Sequence, residues 1–422
     1  MYQMTASAVV RYRTFVTIMF IGIHVGKRLT LAFGSSSSRL TSITIQHYAK
    51  ISSAKSRDLT QRVYRRDAIN GNSHVRLFAS NILVCGDGDL SYAAAIAPTF
   101  DPAEVRLLAT VLESQVHHES TYEKSVSNAR EIIAAGHEVQ YEVDATRLQE
   151  KFGFDTKFDA IRFNFPHWRG KANNRYNREL LQNFFASAET VLTDHGAVEV
   201  VLFEHQSGIE ADSLEKYRSS WLAPQLAAEA GLLLKRKDSF ELNYQRSSYR
   251  GVDKAFFGKE PELSIYVKPT NQNVQVPLEL QLCCRHELHI NLPKGNYEHE
   301  SDVNQSIDRT TLHEAITSHL PPGIECDVLF SEILLPDKTG LQEDIAIYMI
   351  IYRGASIPIT QASADIYRSN TEQIISKMYD LRKNKMGRTI SRPIPYITWQ
   401  KMVEERSKES EIVQTGLNLV KT

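Results

Sequence analysis

The stretch that decides the fold is NILVCGDGDLSY, residues 81–92. Its apolar first half leads into a turn in which glycine and aspartate alternate, and a run of small residues follows at 93–97. This order predicts a buried strand, a tight loop and the first turn of a helix. Gly86 and Gly88 allow positive φ and let the backbone approach a ligand closely. The stretch is either a ligand-binding strand-to-helix turn or an ordinary turn of the same shape.

The acids of this turn indicate which kind of ligand it would meet. A helix N-terminus usually attracts phosphate, but the carboxylates of Asp87 and Asp89 would repel one. They suit a ligand that carries a positive charge and hydroxyl groups, such as the sulfonium, amino group and ribose of S-adenosylmethionine. We therefore predict a cofactor-binding loop formed by Gly86, Asp87, Gly88, Asp89 and Ser91.

Acidic side chains also end the next two predicted strands. Beyond the turn the chain alternates strand-like and helix-like segments, which favours a parallel sheet with crossover helices. Glu113 follows the second predicted strand, 105–112, where such folds hold the ribose hydroxyls of an adenosine. Asp144 and Ala145 end the third, 137–146, at a position that commonly receives the exocyclic amine of adenine. Each acid alone is equally consistent with a surface residue, and the signal is their joint spacing.

The fourth predicted strand, 158–168, ends in Asn164, Phe165, Pro166 and His167. Open α/β sheets bind their ligands at the carboxyl ends of the strands. An amide, an aromatic ring and an imidazole at that edge predict the substrate side of the site.

A loop further along, 244–254, combines aromatic and basic residues. Its rings and charges are those that grip RNA by stacking and by pairing with phosphate. An ordinary solvated loop is the alternative interpretation. The residues concerned are Tyr244, Arg246, Tyr249, Arg250 and Lys254.

These motifs together resemble the fungal large-subunit rRNA uridine-N3 methyltransferase family. The resemblance rests on residues 86–91, 143–146 and 163–167, followed by 178–181, and it covers roughly residues 80 to 268. It implies a Rossmann-like fold, S-adenosylmethionine as cofactor and methylation of uridine N3 in ribosomal RNA. The stretch 249–256 departs from the fungal pattern and looks closer to the branch fused to a ferredoxin-fold anticodon-binding domain.

The resemblance also implies roles for the residues of the Asn-Phe-Pro-His edge. Asn164 and the backbone of Pro166 would hold the edge of the base, and Phe165 would stack on it. His167 would accept the N3 proton, because an imidazole titrates near neutral pH. A loop histidine that only orients the backbone is the alternative. The target base must be single-stranded or flipped out, since N3 faces the partner base in a duplex.

The C-terminal region predicts a second, smaller domain with a β-α-β-β-α order, which is ferredoxin-like. It resembles, over about residues 280–385, the anticodon-binding domain that ends phenylalanyl-tRNA synthetase subunits. The matching pattern includes Tyr348, Tyr352 and Arg353, whereas residues 284–287 replace the usual arginine-aspartate of the first strand. The predicted elements are strands 287–292, 324–335 and 345–352 and helices 310–320 and 363–381.

Composition restricts the class of protein. The 422 residues are 42% hydrophobic and 23% charged, as in a soluble globular protein, and the four cysteines form neither a disulfide framework nor a CxxC metal motif. Eight of the 49 bases precede Asp58, the first acid, which leaves 41 bases against 50 acids. The remainder is therefore not a broadly basic nucleic-acid binder. Histidines 286, 289, 299, 313 and 319 lack ligand spacing, so no metal is expected.

The first 57 residues contain no acid and predict a targeting segment. Its apolar run, 14–26, is shorter than the roughly 20 residues that span a bilayer, so no membrane span is expected. An Arg- and Ser-rich leader of this kind predicts a mitochondrion or plastid, whereas the family resemblance favours the cytoplasm or nucleolus. A disordered basic tail without an address is the further alternative.

These observations predict four segments and one leading function. The segments are a leader 1–57, a Rossmann-like methyltransferase domain 77–270, a ferredoxin-fold domain 277–385 and a charged tail 386–422. The leading hypothesis is an S-adenosylmethionine-dependent enzyme that methylates rRNA at uridine N3, with tRNA as the other possible substrate. The competing hypothesis is a non-catalytic RNA- or tRNA-binding adaptor that keeps the methylase fold as a scaffold.

Overall fold

The structure is a computed structural model. It describes residues 80–168, 173–241, 244, 260–269, 274–293, 295, 297, 299–335, 343–381 and 390–404. The predicted leader, the basic residues 382–389 and all of the aromatic-basic loop except Tyr244 lie outside these described residues. None of the helices within the described ranges is both long and apolar enough to cross a membrane.

Seven strands form the larger sheet, in the order β3-β2-β1-β4-β5-β7-β6. The first five strands are parallel, and β7 runs antiparallel to both β5 and β6. The order reverses on the two sides of β1, which is the doubly wound arrangement with a ligand crevice at that point. The strands are Ser80–Cys85 (β1), Val105–Thr110 (β2), Glu138–Gln140 (β3), Phe158–Asn164 (β4), Leu192–Phe203 (β5), Leu233–Ser239 (β6) and Pro261–Val267 (β7).

Helices cover the sheet between these strands. They are Ser91–Ile96 (α1), Gln115–Thr121 (α2), Ser125–Ala134 (α3), Leu148–Phe152 (α4), Asn174–Val191 (α5), Leu214–Ser219 (α6) and Ala223–Glu229 (α7). The longest, α5, begins at an Asn173 cap whose side chain accepts the Arg175 N–H. Its apolar residues recur at helical spacing and are fully buried against the central strands, as at Leu181, Phe184 and Phe185.

Two strands end earlier than the sequence predicts. The third ladder stops at Gln140, because Glu142 has a φ of 57° and interrupts the extended backbone. The chain nevertheless continues beside β2, where Val143 N donates to Val111 O at 3.0 Å. The fourth strand ends at Asn164, because Phe165 has a φ of 52°.

The smaller sheet has four antiparallel strands in the order β11-β8-β10-β9, with two longer helices packed on it. This β-α-β-β-α-β order confirms the ferredoxin-like prediction. The strands are Leu282–Asn291 (β8), Ile324–Leu334 (β9), Ile345–Gly354 (β10) and Ile394–Pro395 (β11), and the helices are Glu300–Val303 (α8), Arg309–Thr317 (α9) and Gln361–Ile375 (α10).

The end of this domain lies beyond the predicted boundary. The strand β11 pairs with Leu282 and Cys283 of β8, and residues 396–404 are helical. Ile394 and Trp399 are buried, although charged residues surround them in the sequence. The predicted charged tail therefore starts too early at residue 386. Apolar residues at 394–399 pack into the domain, although the composition of the region as a whole is polar.

The two sheets share an apolar contact. Ala211 and Tyr217 from the larger domain pack with Cys283, Ile351 and Trp399 of the smaller one. Two hydrogen bonds cross the same contact: Thr398 Oγ1 donates to Ala211 O at 2.8 Å, and the Tyr217 hydroxyl donates to Pro393 O at 3.3 Å. The residues on both sides of β11 therefore link the ferredoxin-like domain to the larger sheet.

Candidate active site

The glycine-aspartate turn has a conformation that glycine alone satisfies at its first position. Gly86 has a φ of 58°, and a Cβ built there would lie 2.8 Å from Cε2 of Phe163. Any larger side chain would thus be strained and would collide with an aromatic ring of the core. The turn leads from the carboxyl end of β1 into α1, at the reversal point of the sheet.

The two carboxylates of the turn have a role that the sequence did not predict. Asp87 accepts the N–H groups of Tyr92 (3.3 Å) and Ala93 (2.7 Å), and Asp89 Oδ1 accepts the Ser91 N–H (3.1 Å). They satisfy the free N–H groups at the start of α1. Both oxygens of Asp87 are thus engaged within the turn, whereas Asp89 Oδ2 accepts no hydrogen bond from the described residues, and contact of either acid with a ligand stays a prediction.

Burial sets the protonation of the Asp87 carboxyl. Asp87 is 8% exposed, and its desolvation raises the pKa to about 8, opposed by the Ala93 N–H and assisted by the negative charge of Asp89. A positive charge bound nearby would favour the ionised form. The protonation of Asp87 would thus respond to a charge bound at this turn, which lies at the centre of the sheet edge.

Two side chains that the sequence analysis missed hold this turn from outside. His118 Nε2 donates to Gly88 O at 2.6 Å, and Asn128 Nδ2 donates to Asp89 O at 2.8 Å. His118 is fully buried, and its Nδ1 has no partner in the part of the chain that the structure describes. The signal for Asn128 is its place on the buried face of α3, at helical spacing from Ser125 and Ile132.

The remaining predicted cofactor residues offer acceptors at the same edge. Glu113 is half-buried after β2, and its side chain has no bonded partner within the described ranges. Asp144 Oδ1 accepts from Thr146 N (2.9 Å) and Thr146 Oγ1 (2.7 Å), which leaves Oδ2 without a described partner. Ala145 is buried beside it. Carboxylate oxygens on neighbouring strand ends fit the hydroxyl and amine donors of an adenosine ligand.

Asn164 and Phe165 form the clearest feature of the edge. Asn164 Nδ2 is buried and has no hydrogen-bond partner among the described residues. Phe165 holds its φ of 52° through a 2.8 Å bond from its N–H to Val201 O, and its ring stacks on Phe203 at 4.7 Å. A strained residue beside a buried unsatisfied amide is typical of a binding site.

The next two residues of the edge are also held firmly. Pro166 is buried, and His167 Nδ1 donates to Trp168 O at 2.7 Å. Since a carbonyl oxygen only accepts, this bond places the lone pair of the neutral imidazole on Nε2. The His167 ring lies edge-on to Trp221 with 6.2 Å between their centroids. A neutral His167 therefore carries its proton on Nδ1.

A buried charged network lies under this edge, on the same face of β4 as Asn164. Arg162 forms an ion pair with Glu199 of β5, and it donates to the Tyr92 hydroxyl at 2.7 Å. Burial raises the pKa of the Tyr92 phenol, and the Arg162 charge lowers it. The Tyr92 ring also contacts Phe240 and Tyr244. The network links the residue after the glycine turn to the strand that carries Asn164.

The histidines and cysteines that could suggest a metal lie apart. No cluster of three or more potential metal ligands occurs among the described residues. His286 contacts Tyr352, His313 contacts the Cys326 carbonyl, and His289 pairs with Glu287. All four cysteines are free and buried, and burial raises the pKa of the Cys85 thiol to about 12.

The doubly wound sheet, the glycine turn and the acceptor-lined edge define the class: a Rossmann-like domain, here joined to a ferredoxin-like domain. Residues 83–251 match the model of the family described as rRNA (uridine-N3-)-methyltransferase BTM5-like. This match confirms the resemblance that the motifs predict and supports S-adenosylmethionine-dependent methyltransferase activity for this region.

Two curated relatives point to the fused branch. The human protein named ferredoxin-fold anticodon-binding domain-containing protein 1 is 34% identical over 183 residues, which are 42% of this chain and 29% of that protein. Its mouse homolog is 34% identical over 181 residues, with the same coverage. The matching part therefore spans less than a third of the length of these relatives.

Solved structures show only a distant likeness. TrmN from Thermus thermophilus is 19% identical, with a TM-score of 0.30 over 50% of this chain and 48% of that one. A SAM-dependent methyltransferase from Aquifex aeolicus is 12% identical, with a TM-score of 0.29 over 45% and 82%. At TM-scores of this size the likeness adds nothing to the topology itself.

Proposed function

We propose that this protein transfers the methyl group of S-adenosylmethionine to N3 of a uridine in ribosomal RNA. The observation that carries the proposal is the buried Nδ2 of Asn164, which has no partner in the described part of the chain and lies beside the strained Phe165. An amide N–H donor matches the O2 or O4 carbonyl of a uracil, which flanks N3 on either side. The family match over residues 83–251 supports the same reaction.

The acceptors at the strand ends fit the cofactor. Glu113 would hold the ribose hydroxyls, Asp144 and Ala145 the adenine, and Asp89 the amino group, with Gly86 and Gly88 keeping the backbone close. Ser91 begins the helix beside them. When bound, S-adenosylmethionine would supply an electrophilic methyl group, and after its S–CH3 bond breaks it would leave as S-adenosylhomocysteine. Asp87 supports this site from behind, by fixing the start of α1.

The chemistry asked of the protein is orientation and one proton transfer. Asn164 and the Pro166 backbone orient the base, and Phe165 offers a stacking surface. His167 Nε2 takes the N3 proton, and the nitrogen lone pair thus released forms the new N–C bond. The burial of Asn164 and Pro166 keeps water away from the base edge.

A specific observation favours the non-catalytic adaptor as the second candidate. The carboxylates of Asp87 and Asp89 already bond to the backbone N–H groups of α1. Three of the four carboxylate oxygens are therefore engaged within the turn, and a scaffold that has lost its cofactor would keep this shape. Measured binding of S-adenosylmethionine separates the two functions.

The test combines cofactor binding with analysis of the product. The purified full chain is expected to bind S-adenosylmethionine and to restore 3-methyluridine, detected by nucleoside mass spectrometry, to ribosomal RNA from cells that lack the protein. His167→Ala is expected to lower kcat by about 100-fold, the usual contribution of a general base, and to remove its limb of the pH profile. The matched control is His195→Ala, an exposed histidine at the opposite end of β5.

Two results would contradict the proposal. Cofactor binding without any 3-methyluridine would leave a methyltransferase with another target. The absence of cofactor binding would favour the adaptor. An unchanged pH profile in His167→Ala would remove His167 as the base while leaving the reaction assigned.

For the cellular location, the proposal rests on the sequence alone. The leader predicts ribosomal RNA of a mitochondrion or plastid, and the family resemblance predicts the cytoplasmic ribosome. Comparing 3-methyluridine in organellar and cytoplasmic ribosomal RNA decides between them.

A further inference from the structure

A stacked aromatic pair lies directly beside the candidate base-binding loop. Trp168 follows His167, and its ring stacks on Tyr176 with centroids 5.2 Å apart and planes 19° from parallel. The Trp168 N–H donates to Asn177 Oδ1 at 2.9 Å, which ties it to the first turn of α5. Tyr176 remains 39% exposed. One face of its ring is covered by Trp168, so the exposed area belongs to the outer part of the pair.

The same turn of α5 is anchored to the end of α6. Trp221 Nε1 donates to Asn174 Oδ1 at 3.1 Å, and the Trp221 ring is the one that faces His167. Arg178 Nε donates to Ser220 O at 2.9 Å, and its guanidinium also reaches the carbonyl of Arg218. The surface between residues 174–178 and 218–220 is therefore fixed, and it is continuous with the catalytic edge.

This surface carries two exposed arginines that lie outside the ion pairs of the described residues. Arg175 and Arg218 are exposed, and neither guanidinium forms an ion pair with a carboxylate among the described residues. Glu179 and Glu215, exposed on the same two helices, also form no described ion pair. Four of the six other exposed arginines in the described ranges differ, because each pairs with a carboxylate: Arg106, Arg147, Arg236 and Arg309.

We propose that Tyr176, Arg175 and Arg218 bind the single-stranded RNA that flanks the target uridine. A neighbouring base would stack on the outer face of Tyr176, extending the Trp168–Tyr176 pair, and the two guanidiniums would pair with phosphates. Base stacking on an aromatic side chain contributes about 1–3 kcal/mol per base and tolerates any sequence. The inference rests on the proposed function for its partner, because it takes the RNA to be the strand that enters the His167 edge.

Equilibrium binding of a model strand tests the surface without requiring methyl transfer. The probe is a fluorescein-labelled oligouridylate of about twelve nucleotides, within the usual range of such sites, and the full chain is titrated into it. Tyr176→Ala is expected to weaken binding by about tenfold, and Tyr176→Phe to leave it unchanged, because the ring is kept. Arg218→Glu is expected to weaken binding and to reduce its salt dependence.

Matched variants separate lost contacts from lost charge or lost folding. Arg130→Glu makes the same charge change at an exposed position of α3, outside this surface, and is expected to bind normally. Tyr176→Phe reports whether the first turn of α5 tolerates substitution, and the thermal midpoint of each variant reports folding.

The outcomes distinguish this inference from the proposed function. If Tyr176→Ala and Arg218→Glu bind the probe like the wild type, or if the wild type does not bind it, the RNA surface is wrong. If the variants lose binding but the wild type forms no 3-methyluridine, the surface stands and the proposed reaction fails. Equal binding of the single strand and of the same sequence in a duplex would also overturn the stacking role.

Discussion

Key polar residues at the edge of the larger sheet and at the end of the smaller sheet differ in how completely they are hydrogen-bonded. At the larger sheet, Asn164 Nδ2 is buried and has no partner among the described residues, and it lies beside a strained Phe165. At the smaller sheet, Arg353 is bonded to Asp327 through two nitrogens, to Glu325 and to Gln281. The difference favours the Asn164 edge as the one that binds a ligand, because its amide lacks a partner among the described residues.

The aromatic residues of the smaller sheet give the same contrast. The Tyr352 hydroxyl bonds to His286 and to Thr371, and the ring is fully buried. Tyr396 stacks over the Arg353 guanidinium at 5.1 Å. The Tyr348 hydroxyl lacks a partner among the described residues, but it lies in the interior of the core. The pattern Tyr348, Tyr352 and Arg353 that resembles an anticodon-binding domain is thus packed inside this fold.

Removing the unpartnered amide is the strongest way to test this contrast. Asn164→Ala is expected to lower kcat/KM for RNA methylation by about 100-fold, the usual loss when one aligned donor is removed. Its unfolding free energy should stay equal or rise by up to about 1 kcal/mol, because a buried unpaired amide is lost and no described bond is broken. Activity and chemical denaturation measure the two effects.

Asn128→Ala is the matched control, since its amide donates to Asp89 O in the folded chain. It is expected to cost about 1 kcal/mol of stability, the usual value of one hydrogen bond. A loss of stability in Asn164→Ala as large as in Asn128→Ala would mean that Asn164 is a structural residue, and the contrast between the two edges would collapse.

The second prediction concerns the satisfied arginine. Arg353→Met is expected to lower the unfolding free energy by about 2 kcal/mol, below the 3–5 typical of fully buried pairs because Glu325 is partly exposed. RNA affinity should stay within about twofold, a change below 0.5 kcal/mol. Adding Asp327→Asn should recover part of the loss, because the carboxylate charge left behind is removed. Weakened RNA binding at unchanged stability would instead make Arg353 a ligand residue.

The sequence predicts the fold well where a short pattern determines the backbone. The alternation of apolar strands with helices and the Gly86–Gly88 turn specified the order of elements, since positive φ and burial are local properties. Strand ends were less predictable. Glu142 and Phe165 interrupt their strands with positive φ, and neither residue type signals that conformation. The buried strand Ile394–Pro395 was missed because its short apolar segment lies between the basic residues 382–392 and the charged end 404–411.

The sequence predicted where the candidate site lies, but it did not predict the role of each residue there. Asp87 and Asp89 both follow a glycine, yet the first caps α1 through both oxygens and the second through one. Which acid retains a lone pair for a ligand depends on the path of the helix. His118 and Arg162 were missed, because their partners, Gly88 O and Glu199, lie 30 or more residues away along the chain.

The third prediction uses pH to show that the smaller sheet is closed around its polar residues. His286 is 3% exposed, and desolvation lowers its pKa to about 4, while its bond to the Glu287 carbonyl opposes the shift. The unfolded chain then binds the proton more tightly than the folded chain, so stability is complete above the unfolded pKa of about 6.5 and declines as the pH falls towards 4.

Between pH 7 and pH 5, the unfolding free energy of the wild type should fall by on the order of 1–2 kcal/mol more than that of His286→Gln. Every other titrating group is common to both proteins and cancels in this difference, the raised pKa of Asp87 included. Equal slopes, with the His286 imidazole titrating at its ordinary pKa by NMR, would mean that water reaches Tyr352 and that this sheet, like the edge at Asn164, is open to a ligand.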